Sequence, residues 1–187
     1  PKDSATAQSV YFDNLRFGDV PWSSGTPMAL AADPTFDTIP ASLDGLNPFI
    51  FLSDEYTRGA VALEPGRDGQ GVSLQLMPNL AMQVARIGCF FTELPQVPSQ
   101  VRGSVWVKKT VKDDNGMIGI AILDGEQTIS YFVKAVHLPL NEFRQLRLGG
   151  NLSKEGQIVG PLIVIQHAAI STNAGGILID DIEIGQK

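Results

Sequence analysis

Apolar and polar residues alternate with a period of two along most of this chain, which is the spacing of a β-strand that buries one face. Segments with this pattern are separated by clusters of Gly, Pro, Asn and Asp, which favour turns. The pattern predicts strands at residues 35–40, 60–63, 72–77, 84–92, 101–110, 117–123, 128–138, 143–148, 162–167 and 177–184. Only residues 79–85, which follow a proline, have a sequence compatible with a short helix.

Turn chemistry indicates how these strands are joined. Residues 113–116 (DDNG) and 124–126 (DGE) have sequences typical of tight hairpin turns. Short antiparallel strands at this spacing are typical of two sheets packed face to face. We therefore predict an all-β chain that forms a two-sheet antiparallel β-sandwich of the jelly-roll type.

Two nine-residue segments near the ends of the sequence share one pattern. Residues 10–18 (VYFDNLRFG) and 177–185 (ILIDDIEIG) both resemble closing strands, and each places an aspartate, Asp13 or Asp180, in an apolar row. In one organisation, residues 1–8 are a flexible lead and residues 9–187 form a single sandwich. In the other, residues 1–20 are the last strand of a preceding module and residues 26–187 are the domain.

Composition narrows the class of protein. The 187 residues fit one domain with a sizeable core, and 19 glycines and 12 prolines fit a turn-rich β-fold. A formal net charge of −6 argues against binding to nucleic acid or to an anionic membrane surface. No apolar run approaches the roughly 20 residues of a spanning helix, so no membrane insertion is predicted. The single cysteine, Cys89, lies in an apolar stretch and is predicted to be a buried thiol.

Polar rows on the predicted strands nominate a binding face. In residues 101–108, Trp106 shares its row with Arg102 and Lys108. An indole flanked by such groups can stack on a sugar ring while its neighbours bind hydroxyl groups. Phe132 and Gln75 lie in similar rows of other strands, and the rows would form a groove if they shared one concave sheet. The alternative is that Trp106 and Phe132 fill the core at a strand edge.

No catalytic motif stands out. The two histidines are His137 and His167, and His167 ends an apolar strand, where a structural imidazole is the simplest interpretation. The sequence has no G-x-S-x-G motif, and two separated histidines with one cysteine argue against a zinc site. We therefore predict a chain that is not itself an enzyme and that has no certain cofactor.

The acidic residues support one metal hypothesis. Asp180 could bind a structural calcium ion, because calcium takes carboxylate and carbonyl oxygens from distant segments of a chain. Asp13 could share that ion if the two closing strands are neighbours. The alternative is that Asp180 accepts hydrogen bonds from the amides of a nearby loop, with Asp181 in solvent.

Three segments resemble a known family. Residues 176–184 (GILIDDIEI), 101–108 (VRGSVWVK) and 140–146 (LNEFRQL) are similar to strands of the galactose-binding-like, jelly-roll carbohydrate-binding modules found beside glycoside hydrolases. The last strand also resembles that of concanavalin- and laminin-G-like sandwiches, which are the alternative fold. The family resemblance implies a non-catalytic domain that binds a glycan on its concave sheet or at loop tips, often with a structural calcium ion.

The same resemblance implies roles for individual residues, the partners of the protein and its localisation. It nominates Asp180 for the ion and three residues for the glycan: Trp106, Arg102 and Lys108. It implies a secreted or cell-surface protein whose partners are a polysaccharide or glycan and neighbouring modules, such as those of a polysaccharide-acting enzyme. The functional alternative is a structural or adhesion sandwich of a surface or virion assembly. A glycan-binding module should hold an aromatic side chain in a solvent-open groove near Arg and Gln, whereas a structural module should bury Trp106.

Overall fold

The computed structural model describes residues 23–30, 50–51, 61–69, 72–76, 84–92, 99–125, 127–152, 162–168 and 176–187. These residues form short and long β-strands and one 3-10 helix, Ala135–His137. The strands are β1 (Thr26–Pro27), β2 (Ile50–Phe51), β3 (Val61–Pro65), β4 (Val72–Leu76), β5 (Val84–Phe90), β6 (Ser99–Lys109), β7 (Met117–Asp124), β8 (Gln127–Lys134), β9 (Phe143–Leu152), β10 (Leu162–Ala168) and β11 (Ile177–Gln186). Within these ranges, a helix with the length and apolarity needed to span a bilayer is not found.

The strands form two antiparallel sheets that pack face to face. The six-stranded sheet has the order β3–β4–β11–β6–β9, with the short β1 also paired to β11. The five-stranded sheet has the order β2–β5–β10–β7–β8. Buried apolar side chains from both sheets form one cluster between them. The predicted two-sheet jelly-roll sandwich is confirmed.

Alternation along each strand separates the core from the outer faces. The inner rows of β6 and β7 are fully buried and include Val101, Val105, Val107, Ile118, Ile120 and Ile122. Burying one aliphatic side chain of this size contributes about 1.5–3 kcal/mol. The period-two pattern therefore decides which face of each strand meets the other sheet. β-branched side chains in these rows also fit the pleated backbone well.

The predicted turns have different outcomes. The predicted hairpin at residues 113–116 is wrong, because this turn joins β6 of the six-stranded sheet to β7 of the five-stranded sheet. The chain crosses the sandwich there instead of pairing with itself. The hairpin at residues 124–126 is confirmed: β7 pairs with β8, and Gly125 has the left-handed φ of 59° that a tight turn requires.

The closing strand β11 lies inside its sheet. It pairs with β6 along one edge and with β4 and β1 along the other. The predicted strands at residues 10–18 and 35–40, and the predicted helix before Val84, lie outside the described residues. Val84 and Ala85 belong to β5. Both domain organisations stay predictions, whereas the prediction that Cys89 is buried is confirmed.

One carboxylate is buried without a partner. Asp124 ends the inner row of β7, is 0% exposed, and has no hydrogen-bond partner for either carboxylate oxygen in the described part of the chain. Burial raises the pKa of the Asp124 carboxyl above its usual value. The native state therefore disfavours the charged form that the unfolded chain adopts at neutral pH, and Asp124 destabilises the fold there.

We expect Asp124→Asn to raise the free energy of unfolding at neutral pH by about 1 kcal/mol or more, because the variant has no charge to bury. Below the unfolded-state pKa of about 3.9, Asp124 is neutral in both states, so the gain should vanish. The gain should grow as the pH rises from there through the raised native pKa. Urea denaturation across this pH range measures it. Asp113→Asn, in the exposed turn, is the control, and a gain for Asp124→Asn that does not depend on pH would contradict the assignment.

Candidate functional site on the five-stranded sheet

The predicted binding residues do not meet on one face. Opposed residues on paired strands point to the same side of a sheet. The register places four of the predicted residues on the outer face of the six-stranded sheet: Gln75, Arg102, Trp106 and Lys108. Phe132 lies on the outer face of the five-stranded sheet, across the core from the others. The condition for a shared groove, that these rows lie on one sheet, is therefore not met.

Trp106 is half-buried and is covered by another part of the chain. The guanidinium carbon of Arg67 lies 4.6 Å from the centre of the indole ring, which is a cation–π distance. Arg67 is held there by Asp181, whose Oδ2 atom accepts hydrogen bonds from Nε at 2.9 Å and from Nη2. The indole face beneath Arg67 is therefore not open to a sugar ring.

The other predicted residues on this face also contact the chain itself. Arg102 donates from Nη1 to the carbonyl oxygen of Ser23 at 3.2 Å. The Lys108 ammonium nitrogen lies 4.6 Å from the centre of the Phe143 ring. The side chain of Gln75 packs against the backbone just before β11. These contacts give each residue a role within the fold.

Asp180 anchors the turn between β3 and β4. Its Oδ2 atom accepts hydrogen bonds from the Arg67 amide and the Ser73 hydroxyl, both at 2.7 Å, and Oδ1 accepts one from the Asp181 amide at 2.9 Å. Burial raises the pKa of Asp180, and the hydrogen bonds from Ser73 and Arg67 lower it by less. These contacts support the alternative in which Asp180 binds loop amides. Asp181 is not simply solvated, because it pairs with Arg67.

The metal hypothesis has limited support from the described residues. They contain no group of three or more His, Cys, Asp or Glu side chains that could hold a metal ion. Asp13, the second predicted ligand, lies outside them. Calcium binding at Asp180 stays a prediction.

The outer face of the five-stranded sheet contains a trough that crosses its strands. Three rows of opposed residues run from β5 across β10 and β7 to β8. The middle row has the smaller side chains and consists of Gly88, Val164, Ala121 and Ser130. The first flanking row consists of Arg86, Gln166, Gly119 and Phe132. The second flanking row includes Phe90, Leu123 and Thr128. Larger side chains therefore rise on both sides of a lower floor.

The trough is small and open to solvent. Its volume is about 210 Å³, below the roughly 300–1,000 Å³ of pockets that enclose drug-sized ligands. Ala121 and Val164, at the centre of the floor, are 8% and 5% exposed, so the base of the trough is apolar and well packed. A cleft of this size suits one ring of a ligand whose remainder extends along the surface.

A glycine lets the aromatic ring of Phe132 lie flat on the sheet. A Cβ atom added to Gly119 would lie within 2.6 Å of three ring atoms of Phe132, so a larger residue there would displace the ring. One face of the ring covers the backbone of β7, and Phe132 is 36% exposed. The opposite face forms an aromatic platform at the β8 end of the trough.

Polar groups line the trough beside this platform. Ser130 and Thr128 are exposed on β8, and Gln166 is half-buried on β10. Arg86, at the β5 end, donates from Nε to Oε1 of Gln166 at 2.9 Å. Hydroxyl, amide, guanidinium and aromatic groups in one cleft can hold a polyhydroxylated ring, because each hydroxyl can donate or accept.

The sequence pattern predicts one end of this site and misses the other. The alternation in β8 identifies Phe132 as an outward residue. Arg86 and Gln166 lie on two mostly apolar strands, and only the register across four strands brings them into one row with Phe132. A signal was present in β5, where Arg86 is half-buried between the buried Ala85 and Ile87.

Of the comparisons with known proteins, the one with solved structures gives matches, and these agree on the fold. No family model matches the sequence, and no curated protein matches it. Among solved structures, the chain is similar to a family 61 carbohydrate-binding module in complex with β-1,4-galactotriose, at 16% identity and a TM-score of 0.54. That match covers 82% of this chain and 95% of the other.

Two other similar structures are enzymes. An arabinose-bound α-L-arabinofuranosidase of family GH51 matches at 11% identity and a TM-score of 0.59, over 88% of this chain and 27% of that one. A Stig cyclase from Fischerella sp. TAU, in complex with an indole compound, matches at 8% identity and a TM-score of 0.61, over 87% of this chain and 98% of that one.

These matches confirm the jelly-roll fold of the carbohydrate-binding modules that the sequence resembles. One fold carries both sugar-binding modules and a cyclase, so the activity has to be argued from the residues of the trough.

Proposed function

We propose that this chain is a non-catalytic carbohydrate-binding module that holds a glycan in the trough of the five-stranded sheet. The observation that carries the proposal is the Phe132 platform, which lies in a solvent-open cleft with Arg86 and Gln166 in the same row. This is the arrangement expected of a glycan-binding module, except that Phe132 takes the place that the sequence suggested for Trp106.

The chemistry of the trough fits a sugar ring. The apolar C–H face of a pyranose can stack on the exposed face of Phe132. Ser130 and Thr128 can each donate and accept a hydrogen bond, and Gln166 adds an amide. The low floor at Ala121 lets the ring approach the sheet closely enough for these contacts.

The comparisons support the proposal at a coarser level. One similar structure is a carbohydrate-binding module in complex with a galactose trisaccharide. The arabinofuranosidase match covers only 27% of that enzyme, which fits the part of the proposal in which this domain adjoins other modules of a polysaccharide-acting protein. Secretion or display at the cell surface belongs to the same proposal, because polysaccharides are met there.

Glycan-array screening followed by calorimetric titration of the best ligand tests the proposal. We expect Phe132→Ala to weaken binding at least about tenfold, since stacking on one aromatic ring contributes about 0.5–1.5 kcal/mol beyond its buried area. Ser130→Trp, which fills the trough from the exposed face of β8, should weaken binding without removing any native contact to the core. Phe143→Ala makes the matched change on the opposite sheet and should leave affinity unchanged.

The outcomes separate the two faces of the sandwich. Loss of binding in Trp106→Ala, with Phe132→Ala unaffected, would move the site to the six-stranded sheet. Thermal melting of each variant shows whether a loss of glycan binding comes from unfolding of the protein. Binding of no glycan on the array would favour the structural or adhesion alternative.

A second candidate function has one observation in its favour. Apolar side chains line the trough, with Val164 and Ala121 in the floor and Leu123 beside it, and a similar cyclase structure holds an indole compound. A small apolar ring could therefore occupy the trough in place of a sugar. Titration with indole separates the candidates: saturable binding that Phe132→Ala removes, together with no glycan binding, would favour the small-molecule function.

A further inference from the structure

Arg86 is a half-buried cation that lacks a negative partner in the part of the chain that the structure describes. Two other arginines, Arg67 and Arg144, form ion pairs with nearby carboxylates. Arg86 instead donates a hydrogen bond from Nε to the neutral amide of Gln166. Within the described residues, no acceptor pairs with the two terminal nitrogens of this guanidinium.

The other described residues of the trough do not compensate this charge. Their side chains are all neutral: Ala121, Leu123, Thr128, Ser130, Phe132, Val164 and Gln166. The chain has a formal net charge of −6, yet the described residues of this cleft carry a local positive charge. Charge–charge contact inside a partly desolvated cleft is stronger than at an open surface, because the local dielectric constant is lower.

We propose that the glycan bound in the trough is acidic, and that Arg86 binds the carboxylate of a uronic acid residue. This inference rests on the proposed function of the trough. A guanidinium presents paired N–H donors in a plane that matches the two oxygens of a carboxylate. Gln166, by accepting from Nε, fixes the plane of that fork and acts as a positioning residue.

The distance between the two ends of the trough, at Arg86 and Phe132, suits a short oligosaccharide as the ligand. Arg86 and Phe132 occupy the first and last positions of one row that crosses four strands. Three strand spacings separate their backbones by about 14 Å, and both side chains extend over the sheet. Phe132 therefore stacks on one ring while Arg86 binds the carboxylate of another ring in the same chain.

The test compares acidic ligands with their uncharged forms. Trimers of galacturonic, glucuronic, mannuronic and guluronic acid are titrated by calorimetry, each beside its methyl ester, which keeps the rings and removes the charge. We expect at least one acid to bind about tenfold or more tightly than its ester, which is the size of one charge-assisted bidentate contact. Added salt should reduce the difference in affinity between each acid and its ester.

Substitutions of Arg86 test whether this residue causes the preference for acidic ligands. Arg86→Gln should weaken binding of the acid more than binding of the ester, so that the ratio of the two affinities falls from about tenfold to within about twofold. Arg86→Lys, which keeps the charge and loses the fork, should retain part of the preference. Arg147→Gln makes the same change in net charge on the opposite face and should leave the preference intact.

Each failure has a distinct meaning. Equal affinity of the unmodified protein for acids and esters, or binding of neutral glycans only, would overturn the acidic ligand and leave the proposed function standing. A preference for acids that survives in Arg86→Gln would overturn the role of Arg86. Tight binding of an acid that is unchanged in both Phe132→Ala and Ser130→Trp would instead remove the trough as the site.

Discussion

His167→Leu is expected to lower the free energy of unfolding by about 1–3 kcal/mol, because it removes a buried imidazole that contacts the Asp114 carboxylate and the Leu76 carbonyl oxygen. His167 and Asp114 are fully buried, and Nε2 of His167 lies 3.4 Å from Oδ2 of Asp114. The other ring nitrogen, Nδ1, lies 3.0 Å from the carbonyl oxygen of Leu76. Because a carbonyl oxygen can only accept, Nδ1 carries a hydrogen.

Nε2 of His167 and Oδ2 of Asp114 therefore face each other in the interior, and within the described residues neither atom has a closer polar partner. The second oxygen of Asp114 accepts from the amide of Gly116 at 2.7 Å. The pair thus joins β10 of one sheet, the end of β4 in the other sheet, and the turn that crosses between them. Leucine at position 167 would leave Oδ2 of Asp114 buried and unpaired.

Asp114→Asn is the matched variant for this pair. Its amide nitrogen can donate to Nε2 of His167 while its oxygen keeps the Gly116 amide, so we expect a loss below about 1 kcal/mol. Combining Asp114→Asn with His167→Leu should recover part of the loss of the single His167 variant, because no buried charge remains. Urea denaturation measures all three. A loss of less than about 1 kcal/mol for His167→Leu would contradict a stabilising role of this buried contact.

Asp180→Ala is expected to lower the free energy of unfolding by about 2–4 kcal/mol, because it leaves three donors without their charged acceptor. These donors are the amides of Arg67 and Asp181 and the hydroxyl of Ser73. The turn between β3 and β4 should then detach from β11, and the Arg67 guanidinium should leave the ring of Trp106. Urea denaturation gives the stability, and Trp106 fluorescence reports the release.

Asp181→Asn is the matched control for this anchor. Asp181 lies at a β-bulge, where the pairing of β11 with β6 shifts register, and has a left-handed φ of 42°. Asparagine tolerates this conformation well, so the bulge should persist. The variant loses only the charge that faces Arg67. We expect the free energy of unfolding to change by less than about 1 kcal/mol, because this ion pair is partly exposed to solvent.

If Asp180 instead holds calcium, added calcium should raise the melting temperature and Asp180→Ala should abolish that rise. A calcium-dependent rise would contradict a purely structural anchor.

Alternation within single strands predicted most of the fold. The strands around Val105, Ile120 and Ile179 each place a row of large aliphatic side chains in the core, as the period of two predicts. The turn at Asp113 and Asp114 misled the prediction, because its residues favour a tight turn whether the next strand joins the same sheet or the opposite one. Sheet membership depends on long-range pairing, which turn chemistry does not encode.

The candidate site was harder to predict for the same reason. Trp106 and Phe132 have similar settings within their own strands, an aromatic side chain in a polar row. What separates them lies elsewhere in the chain, since Arg67 covers the first and Gly119 supports the second. The single-strand pattern also gave no reason to connect Arg86 with Phe132, although two intervening strands place them in one row.

The interior position of β11 has a consequence for the order in which the fold is completed during synthesis. This strand is the last described one to emerge from the ribosome, yet it pairs with β6 on one edge and with β4 and β1 on the other. Until it arrives, β4 and β6 each present an unpaired edge that can join strands of other chains. The five-stranded sheet needs no residue beyond β10 for its pairing. The nascent chain can therefore assemble the sheet that carries the trough first, while the other half of the sandwich stays vulnerable to aggregation until translation passes residue 186.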